Sequence, residues 1–195
     1  VLGRYRITFD CITGDYEFSE ALSGEAVAMS PYTDNAPTID GDLSEYDLAY
    51  GSEILAAGDG PNNNTVTWGT MWDGANLYIA AHVVDAVVEG TNNPWDNDAI
   101  EMYIDGDNSK DGTYSAESFD TQIIMDALGL DSLWSKADGV PITDETSAWL
   151  STSDGYSIEI RLGWAQLGFS PGKGRTIGWS LGNNDSDLGE GRDYQ

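Results

Sequence analysis

The chain has 195 residues, which is enough for one domain of about 150 residues and a shorter additional segment. It carries 34 acidic and 8 basic residues, and the formal net charge of -26 argues against nucleic acid and anionic membrane surfaces as partners. The single cysteine, Cys11, excludes an internal disulfide, and no apolar run reaches the roughly 18 residues of a membrane span.

The first 20 residues predict a β-hairpin. Apolar residues alternate with polar ones from Tyr5 to Cys11, residues 13–15 supply a turn, and Tyr16 and Phe18 alternate on the return. The segment "GRYRITFDCITGDYEF" resembles the closing hairpin of a small domain in starch-utilisation outer-membrane lipoproteins. That resemblance implies the end of a preceding module, and the alternative is that the hairpin extends the main sandwich. Residues 21–37 lack periodicity and predict a linker or an irregular edge.

The middle of the chain predicts a hairpin. Residues 66–72 and 77–83 each place alternate apolar side chains on one face, and the turn between them contains Asp73 and Gly74. The preceding residues 43–55 fit either a short helix or a loop.

The stretch 92–105 begins as a turn and becomes a strand. The Asn-Asn-Pro run predicts a loop, because Pro94 has no backbone donor. From Ile100 the pattern alternates, so Glu101 projects from the face opposite the core and Trp95 lies at the lip of the sheet. An aromatic ring beside a carboxylate suits a sugar, since the ring packs on C–H groups and the carboxylate accepts hydrogen bonds from hydroxyls.

Later segments complete an all-β pattern. Short alternating strands are predicted at 119–125, 130–136, 148–152, 156–164 and 177–181, after a polar loop at 106–118. About nine short strands with turns between them and little helix predict an antiparallel β-sandwich.

The seven tryptophans divide into two groups. Those on apolar periodic faces are expected in the core: Trp68, Trp72, Trp164 and Trp179. Those beside polar or turn residues are candidates for a binding platform: Trp95, Trp134 and Trp149.

Clusters of aspartates predict structural calcium. The loop holding Asp105, Asp107 and Asp111 places oxygen side chains at short intervals, as hard cations require. Asp185 and Asp187 form a second cluster near the C-terminal end. The alternative for each cluster is a solvated acidic turn.

Enzymatic chemistry is not predicted. Asp98 and Glu101 have an odd spacing on one predicted strand and point to opposite faces, so they do not share a reaction centre. The one histidine, His82, has no identifiable nucleophile partner. We therefore expect a chain without catalytic residues.

The ordered motifs carry a family resemblance. The run "NPWDNDAIEMYIDGDN" resembles the central motif of family 9 carbohydrate-binding modules, and Ile39-Asp40-Gly41, "WGTMWDGANLYIAAHV" and the Asp120-Thr121-Gln122 strand start resemble its other elements in order. The resemblance covers residues 36–195, which leaves 1–35 as an N-terminal hairpin and linker. It implies a family 9-like sandwich and carbohydrate-binding residues at these positions: Trp95, Asp98, Glu101 and Gln122.

The chain also departs from the family pattern. Family members clamp a sugar between two tryptophans, and the second would lie beyond Gln195, together with a last strand. An arginine of the family site falls at Ile124 here, and a glutamine falls at Gly182. A missing strand predicts an open sheet edge near the C-terminus, where another chain or module can pair.

Two functions follow from these patterns. The first is a non-catalytic carbohydrate-binding module of a secreted or cell-surface bacterial protein, which holds a polysaccharide or oligosaccharide through Trp95 and Glu101. The second is a structural or assembly module that keeps the sandwich and has lost the sugar site. The chain starts at Val1 without a signal-peptide pattern, so we expect a mature or internal piece of an extracytoplasmic protein.

Overall fold

Eleven β-strands and little helix make up the part of the chain that the computed structural model describes, which is residues 3–10, 26–53, 64–90, 93–110, 114–115, 119–129, 132–136, 139, 141–143 and 145–187. The strands are Gly3–Asp10 (β1), Ala26–Pro31 (β2), Tyr50–Glu53 (β3), Thr65–Trp72 (β4), Asn76–Val84 (β5), Ala99–Asp105 (β6), Thr121–Asp126 (β7), Ser132–Lys136 (β8), Glu145–Ser151 (β9), Gly155–Gly163 (β10) and Thr176–Asn184 (β11). The helical elements are two 3-10 turns, Leu43–Glu45 and Pro94–Asp96, and one α-helix, Trp164–Leu167 (α1).

The strands form two sheets that face each other. One sheet has six strands in the order β2-β1-β11-β6-β7-β8, and the other has five in the order β3-β4-β5-β10-β9. All pairs are antiparallel except β1 with β2. The all-β sandwich predicted from the sequence is confirmed. None of the helices in the described ranges is long and apolar enough to cross a membrane.

The core lies between the inward faces of the two sheets. Alternate residues of β6, from Ile100 to Ile104, are buried against inward residues of β5 and β10. The four tryptophans expected in the core are all buried there. The predicted strand 156–164 is one residue too long: β10 ends at Gly163, and Trp164 is the first residue of α1. Its ring is buried in the core from that position.

The N-terminal segment differs from one expectation. Residues 26–31 form a strand and not a linker. Pro31 is its last residue, and the strand lies at the edge of the sheet. An edge strand tolerates proline, because the missing N–H is not needed for a hydrogen bond to a further strand. Strand β1 pairs with β2 on one side and with β11 on the other. The segment therefore extends the sandwich, while the return of the predicted hairpin lies outside the described residues. The division of the chain at residue 36 stays a prediction.

Strand β11 has both neighbours within the chain, β1 and β6. The expected open edge beside the last predicted strand is thus occupied by the chain's own β1. The outermost strands of the two sheets are β2, β8, β3 and β9.

Candidate functional site

Trp95 stands on a rigid turn at one end of the sandwich. Asn93 is extended, Pro94 opens the 3-10 turn with its fixed φ, and the N–H of Asp96 donates to the Asn93 carbonyl at 2.8 Å. The Trp95 side chain is 45% exposed, the largest exposure of any described tryptophan. The turn packs against the ends of β6 and β7. A large flat ring is therefore presented to solvent on a backbone with little freedom.

Asp98 closes the base of the loop that carries Trp95. Its carboxylate accepts from the N–H of Glu89 on one oxygen and from the N–H of Ser186, at 2.7 Å, on the other. Its carbonyl accepts from the N–H of Ala127 at 2.7 Å. Asp98 is one of the predicted carbohydrate-binding residues. It is fully buried, so it lies beneath the loop and away from the surface.

Glu101, Tyr103 and Gln122 form a hydrogen-bonded group on the outward face of the six-stranded sheet. The Tyr103 hydroxyl donates to Glu101 Oε1 at 2.6 Å, and Gln122 Nε2 lies 2.8 Å from the same oxygen and 2.9 Å from the hydroxyl. Glu101 is 4% exposed, and the other two are half-buried. The structure thus joins two of the predicted site residues. The alternation that places Glu101 outward also places Tyr103 there, which is the signal that would have added it.

The two strands beside Glu101 offer it no polar side chain at the paired positions. Ile124 of β7 and Gly182 of β11 are the residues in register with Glu101. Ile124 is buried, and a glycine has no side chain to contribute. The hydrogen-bonding surface around Glu101 is consequently one-sided, and it extends toward Tyr103 and Gln122.

Three buried carboxylates converge near the base of the Trp95 loop. Asp85 follows β5, Asp98 precedes β6 and Asp185 follows β11, and one oxygen of each lies within 4.8 Å of the others. These three positions meet because the ends of their strands lie at the same end of the sandwich. Sequence analysis missed Asp85 and did not assign Asp98 to a metal site, since their proximity depends on the strand order and not on spacing.

The electrostatics of this cluster favour a cation. Burial raises the pKa of Asp98 to about 8, and the neighbouring Asp85 and Asp185 add to the rise. Burial likewise raises the pKa of Asp85, with Asp187 contributing. Like charges held together in a low-dielectric site repel each other strongly unless a proton or a cation intervenes.

The donor atoms of the cluster fit calcium. One oxygen of Asp85 accepts from the N–H of Val87 at 2.9 Å, whereas the buried Oδ2 has no hydrogen-bond partner within the described part of the chain. Calcium takes carboxylate oxygens as ligands, with carbonyls and water completing its shell. The residues present therefore fit a calcium ion held by Asp85, Asp98 and Asp185.

The other predicted calcium loop lies at the opposite end of the sandwich. The Asp105 carboxylate accepts from the N–H groups of Ser109 and Lys110, both at 3.1 Å, and Asp107 accepts from Ser109 at 2.9 Å. These bonds cap a turn in which Lys110 has a positive φ of 56°. Asp111 lies outside the described residues, and within them no third carboxylate converges on Asp105 and Asp107.

The remaining platform candidates are placed differently from Trp95. Trp149 lies on the outermost strand β9 and is 37% exposed. Its ring lies over Gly129, where an added Cβ would come within 2.0 Å of the indole. The Trp134 side chain lies outside the description of the structure.

Comparison with known proteins gives one family match. The model of the family described as "Carbohydrate family 9 binding domain-like" matches residues 45–194. Endo-1,4-beta-xylanase A from Thermotoga neapolitana and its namesake from Thermotoga maritima are each 29% identical over 170 residues, which is 85% of this chain and 15% of the relative. Exoglucanase XynX from Acetivibrio thermocellus is 30% identical over 129 residues, 66% of this chain and 11% of the relative. The chain thus spans about one-seventh of the two xylanases.

Solved structures share the fold. A carbohydrate-binding module of family 9 from Caldicellulosiruptor kristjanssonii in complex with cellotriose superposes with a TM-score of 0.68 at 19% identity, over 95% of this chain and 80% of that one. A module of the same family and organism in complex with glucose gives 0.67 at 22% identity, over 83% and 81%.

Proposed function

From the premise that this chain belongs to the family 9 carbohydrate-binding modules, we propose that it holds a glycan at Trp95 and Glu101 and performs no chemistry on it. The observation that carries the proposal is an exposed tryptophan on a rigid turn at the start of the strand whose outward face presents Glu101. The ring supplies an apolar face for sugar C–H groups, and the carboxylate supplies an acceptor for hydroxyls.

Glu101 is held ready for this role by its neighbours. Tyr103 and Gln122 both direct hydrogen atoms at one carboxylate oxygen, which fixes the rotamer of the side chain. A carboxylate that is already positioned loses less conformational entropy when a sugar binds. Gln122 and Tyr103 are also polar groups that a hydroxyl can reach.

The sugars and activities named for the relatives indicate the class of glycan. The structural neighbours hold cellotriose and glucose, and the sequence relatives are named endo-1,4-beta-xylanases and an exoglucanase. We infer a neutral β-1,4-linked glucan or xylan as the ligand of this chain. With Ile124 and Gly182 beside Glu101, the polar contacts are few, so we expect a dissociation constant near a millimolar, or about -4 kcal/mol.

Calcium is the second part of the proposal. Asp85, Asp98 and Asp185 would hold the ion, and the charge it supplies offsets the repulsion among three buried carboxylates. Asp98 also fixes the base of the Trp95 loop, so the same residue serves the metal and the sugar-binding turn. The Asp105 loop and Asp187 remain predicted calcium residues.

The size of a polymeric ligand also indicates where in the cell the protein works. A long glucan or xylan does not cross a bilayer, so a module that binds one works outside the cytoplasm. We accordingly infer a secreted or cell-surface protein, in which this chain keeps a catalytic or transport unit close to the polysaccharide.

A second candidate function is an assembly module with no sugar site. The observation that favours it is that the two residues in register with Glu101, Ile124 and Gly182, offer no polar side chain to a sugar. On this view the exposed edges of the sheets would pair with another chain.

Titration separates the two candidates. Trp fluorescence and calorimetry with cellotetraose, xylotetraose and maltotetraose should show binding of one or both β-1,4-linked sugars by the native chain. Trp95→Ala should abolish binding at this site, so that the overall affinity falls, and should leave the melting temperature unchanged, because the ring is exposed. Trp149→Ala is the matched control, and it should retain the affinity. A glycan affinity that Trp95→Ala leaves unchanged would place the site elsewhere, and no binding of any glycan would favour the assembly function.

A further inference from the structure

A pocket lies at the end of the sandwich opposite Trp95. Its walls are the segment that follows β2 and the 3-10 turn Leu43–Glu45, and its volume is about 450 Å³. That volume is within the range of small-molecule sites in proteins. The strand pairing fixes the position of the pocket. Pro31 pairs with Asp10, and this part of β1 lies beside the start of β11, near Asp105. Trp95 instead precedes the other end of β6.

The pocket exists because the chain crosses from one sheet to the other there. After β2, Tyr32 forms a bridge with Trp72 of the five-stranded sheet, and the N–H of Thr33 donates to the Trp72 carbonyl at 2.8 Å. The crossing segment passes over Met71, which is buried and forms part of the lining. The space between the crossing segment and the 3-10 turn is open to solvent.

The walls are held rigidly. Pro31 and Pro37 fix φ at the two ends of the crossing segment. Thr33 Oγ1 donates to the Asn35 carbonyl at 2.7 Å and accepts from the Asn35 N–H at 3.1 Å, which closes a tight turn. Glu45 Oε1 accepts from the N–H of Thr38 at 3.2 Å and ties the two walls together. A pocket with fixed walls binds with a smaller entropic loss.

The groups that line the pocket match a neutral sugar. Tyr32 is 40% exposed, and its ring is braced by an edge contact with the buried Trp72 at 5.0 Å and 82°. The Asn35 side-chain amide and the second carboxylate oxygen of Glu45 make no hydrogen bond with any described residue. Sugars are bound by such groups: an aromatic ring packs on their C–H groups, and an amide and a carboxylate form hydrogen bonds with their hydroxyls.

The charge of the pocket restricts the class of ligand that it can bind. Among the described residues, no lysine or arginine lines the pocket; Glu45 is anionic, and the whole chain carries a formal charge of -26. Phosphorylated, sulfated and uronic-acid ligands are therefore repelled. We propose that this pocket is a second glycan-binding site, which takes a neutral saccharide between Tyr32, Asn35 and Glu45.

Such a site rests on the proposed function and would extend glycan binding to another surface of the molecule. Two weak sites at opposite ends would let one module contact two chains of an insoluble polysaccharide, or two stretches of one chain. Retention on such a matrix would then exceed the affinity of either site for a short oligosaccharide.

The test uses the Trp95→Ala chain, in which binding at the first site is removed. Its tyrosine rings are labelled with ¹³C, the Tyr32 signal is identified with Tyr32→Phe, and cellotetraose, xylotetraose or maltotetraose is titrated. We expect a saturable shift of the Tyr32 signal by at least one of them. Asn35→Ala, which leaves the backbone hydrogen bonds of the turn in place, should weaken the binding about fivefold, as one lost hydrogen bond would.

The outcomes are separable. No shift of the Tyr32 signal by any of the three sugars up to their solubility limits would overturn the inference, as would a shift whose dependence on sugar concentration Asn35→Ala leaves unchanged. If the sugar affinity of Trp95→Ala equals that of the native chain and the affinity of Tyr32→Ala is lower, the assignment of the first site fails and this one stands. The melting temperature of each variant shows that the fold is intact.

Discussion

Asp98 and Glu89 are joined by two hydrogen bonds that run in opposite directions. The N–H of Asp98 donates to the Glu89 carbonyl at 3.0 Å, and the N–H of Glu89 donates to the Asp98 carboxylate at 2.5 Å. Trp95 lies between them along the chain, so this pair closes the loop that presents the ring. Since the Asp98 carboxylate also belongs to the acidic cluster, the loop and the proposed calcium site share one side chain.

Calcium should stabilise the fold through the buried cluster. At calcium far above its dissociation constant, the free energy of unfolding should rise by roughly 3 kcal/mol by mass action. Asp85→Asn should lose most of this gain, because it removes a charge from the cluster. The measurement is thermal unfolding in EDTA and in millimolar calcium.

Asp107→Asn is the control for the calcium prediction. Asp107 lies in the predicted calcium loop at the other end of the sandwich, so this variant should keep the full response if the buried cluster binds the ion. Equal melting temperatures in EDTA and calcium would contradict the prediction. Loss of the response only in Asp107→Asn would move the site to the Asp105 loop.

Calcium and glycan should bind cooperatively. Without the ion, repulsion among Asp85, Asp98 and Asp185 should loosen the base of the Trp95 loop, and glycan affinity should fall by about fivefold or more. Linkage requires that saturating glycan raise calcium affinity by the same factor. Two calorimetric titrations, each with and without the other ligand, measure both factors. Equal glycan affinity in EDTA and in calcium would show that the two sites are independent.

Local patterns in the sequence were enough to predict the hairpin of β4 and β5 and the outward position of Glu101. Both depend only on a period of two along a strand and on turn residues next to it. The confirmed burial of Trp68 and Trp179 has the same origin, because each lies on an apolar face.

Long-range pairing could not be predicted in this way. The place of β1 between β2 and β11 joins residues near the start of the chain with residues 176–181. The meeting of Asp85, Asp98 and Asp185 likewise depends on long-range pairing, here of β6 with β11, and on the position of β5 in the facing sheet. Glu159 illustrates the same limit: alternation places it outward, but its partners lie 113 to 119 residues away.

Gly69 is expected to be intolerant of a side chain. The segment around Asp47 and Leu48 crosses the outer face of the five-stranded sheet at this point, and a Cβ on Gly69 would lie 2.2 Å from the Asp47 carbonyl oxygen. Gly69→Ala should therefore push the crossing segment away and reduce the free energy of unfolding by about 1–3 kcal/mol. Urea denaturation of the native chain and the variant measures the difference.

The matched control for Gly69→Ala is Gly74→Ala. Gly74 lies in the turn between β4 and β5, and, apart from its two chain neighbours, no described residue has an atom within 4 Å of the position of an added Cβ there. This variant should stay within about 0.5 kcal/mol of the native chain. Similar losses from both variants would show that the crossing segment does not restrict Gly69.

Glu159 should make the unfolding free energy depend on pH. Its Oε2 accepts from the N–H groups of Asp40 at 2.9 Å and Gly41 at 3.1 Å, and its Oε1 accepts from the Tyr46 hydroxyl at 2.9 Å. Burial raises the pKa of Glu159 above its ordinary value of 4.5, although these hydrogen bonds act in the opposite direction. The folded chain therefore binds this proton more tightly than the unfolded chain does.

The sign of the pH effect follows from that raised pKa. The stability contributed by protonated Glu159 is fully present below pH 4.5 and is lost as the pH rises through the folded-state pKa. Glu159→Gln keeps an acceptor for the two N–H groups and can donate to Tyr46, but it does not titrate. The unfolding free energy of the native chain, relative to that of Glu159→Gln, should thus decline from pH 4.5 upward. Urea denaturation at several pH values measures both curves, and curves that stay parallel would show that Glu159 titrates alike in the folded and unfolded chains.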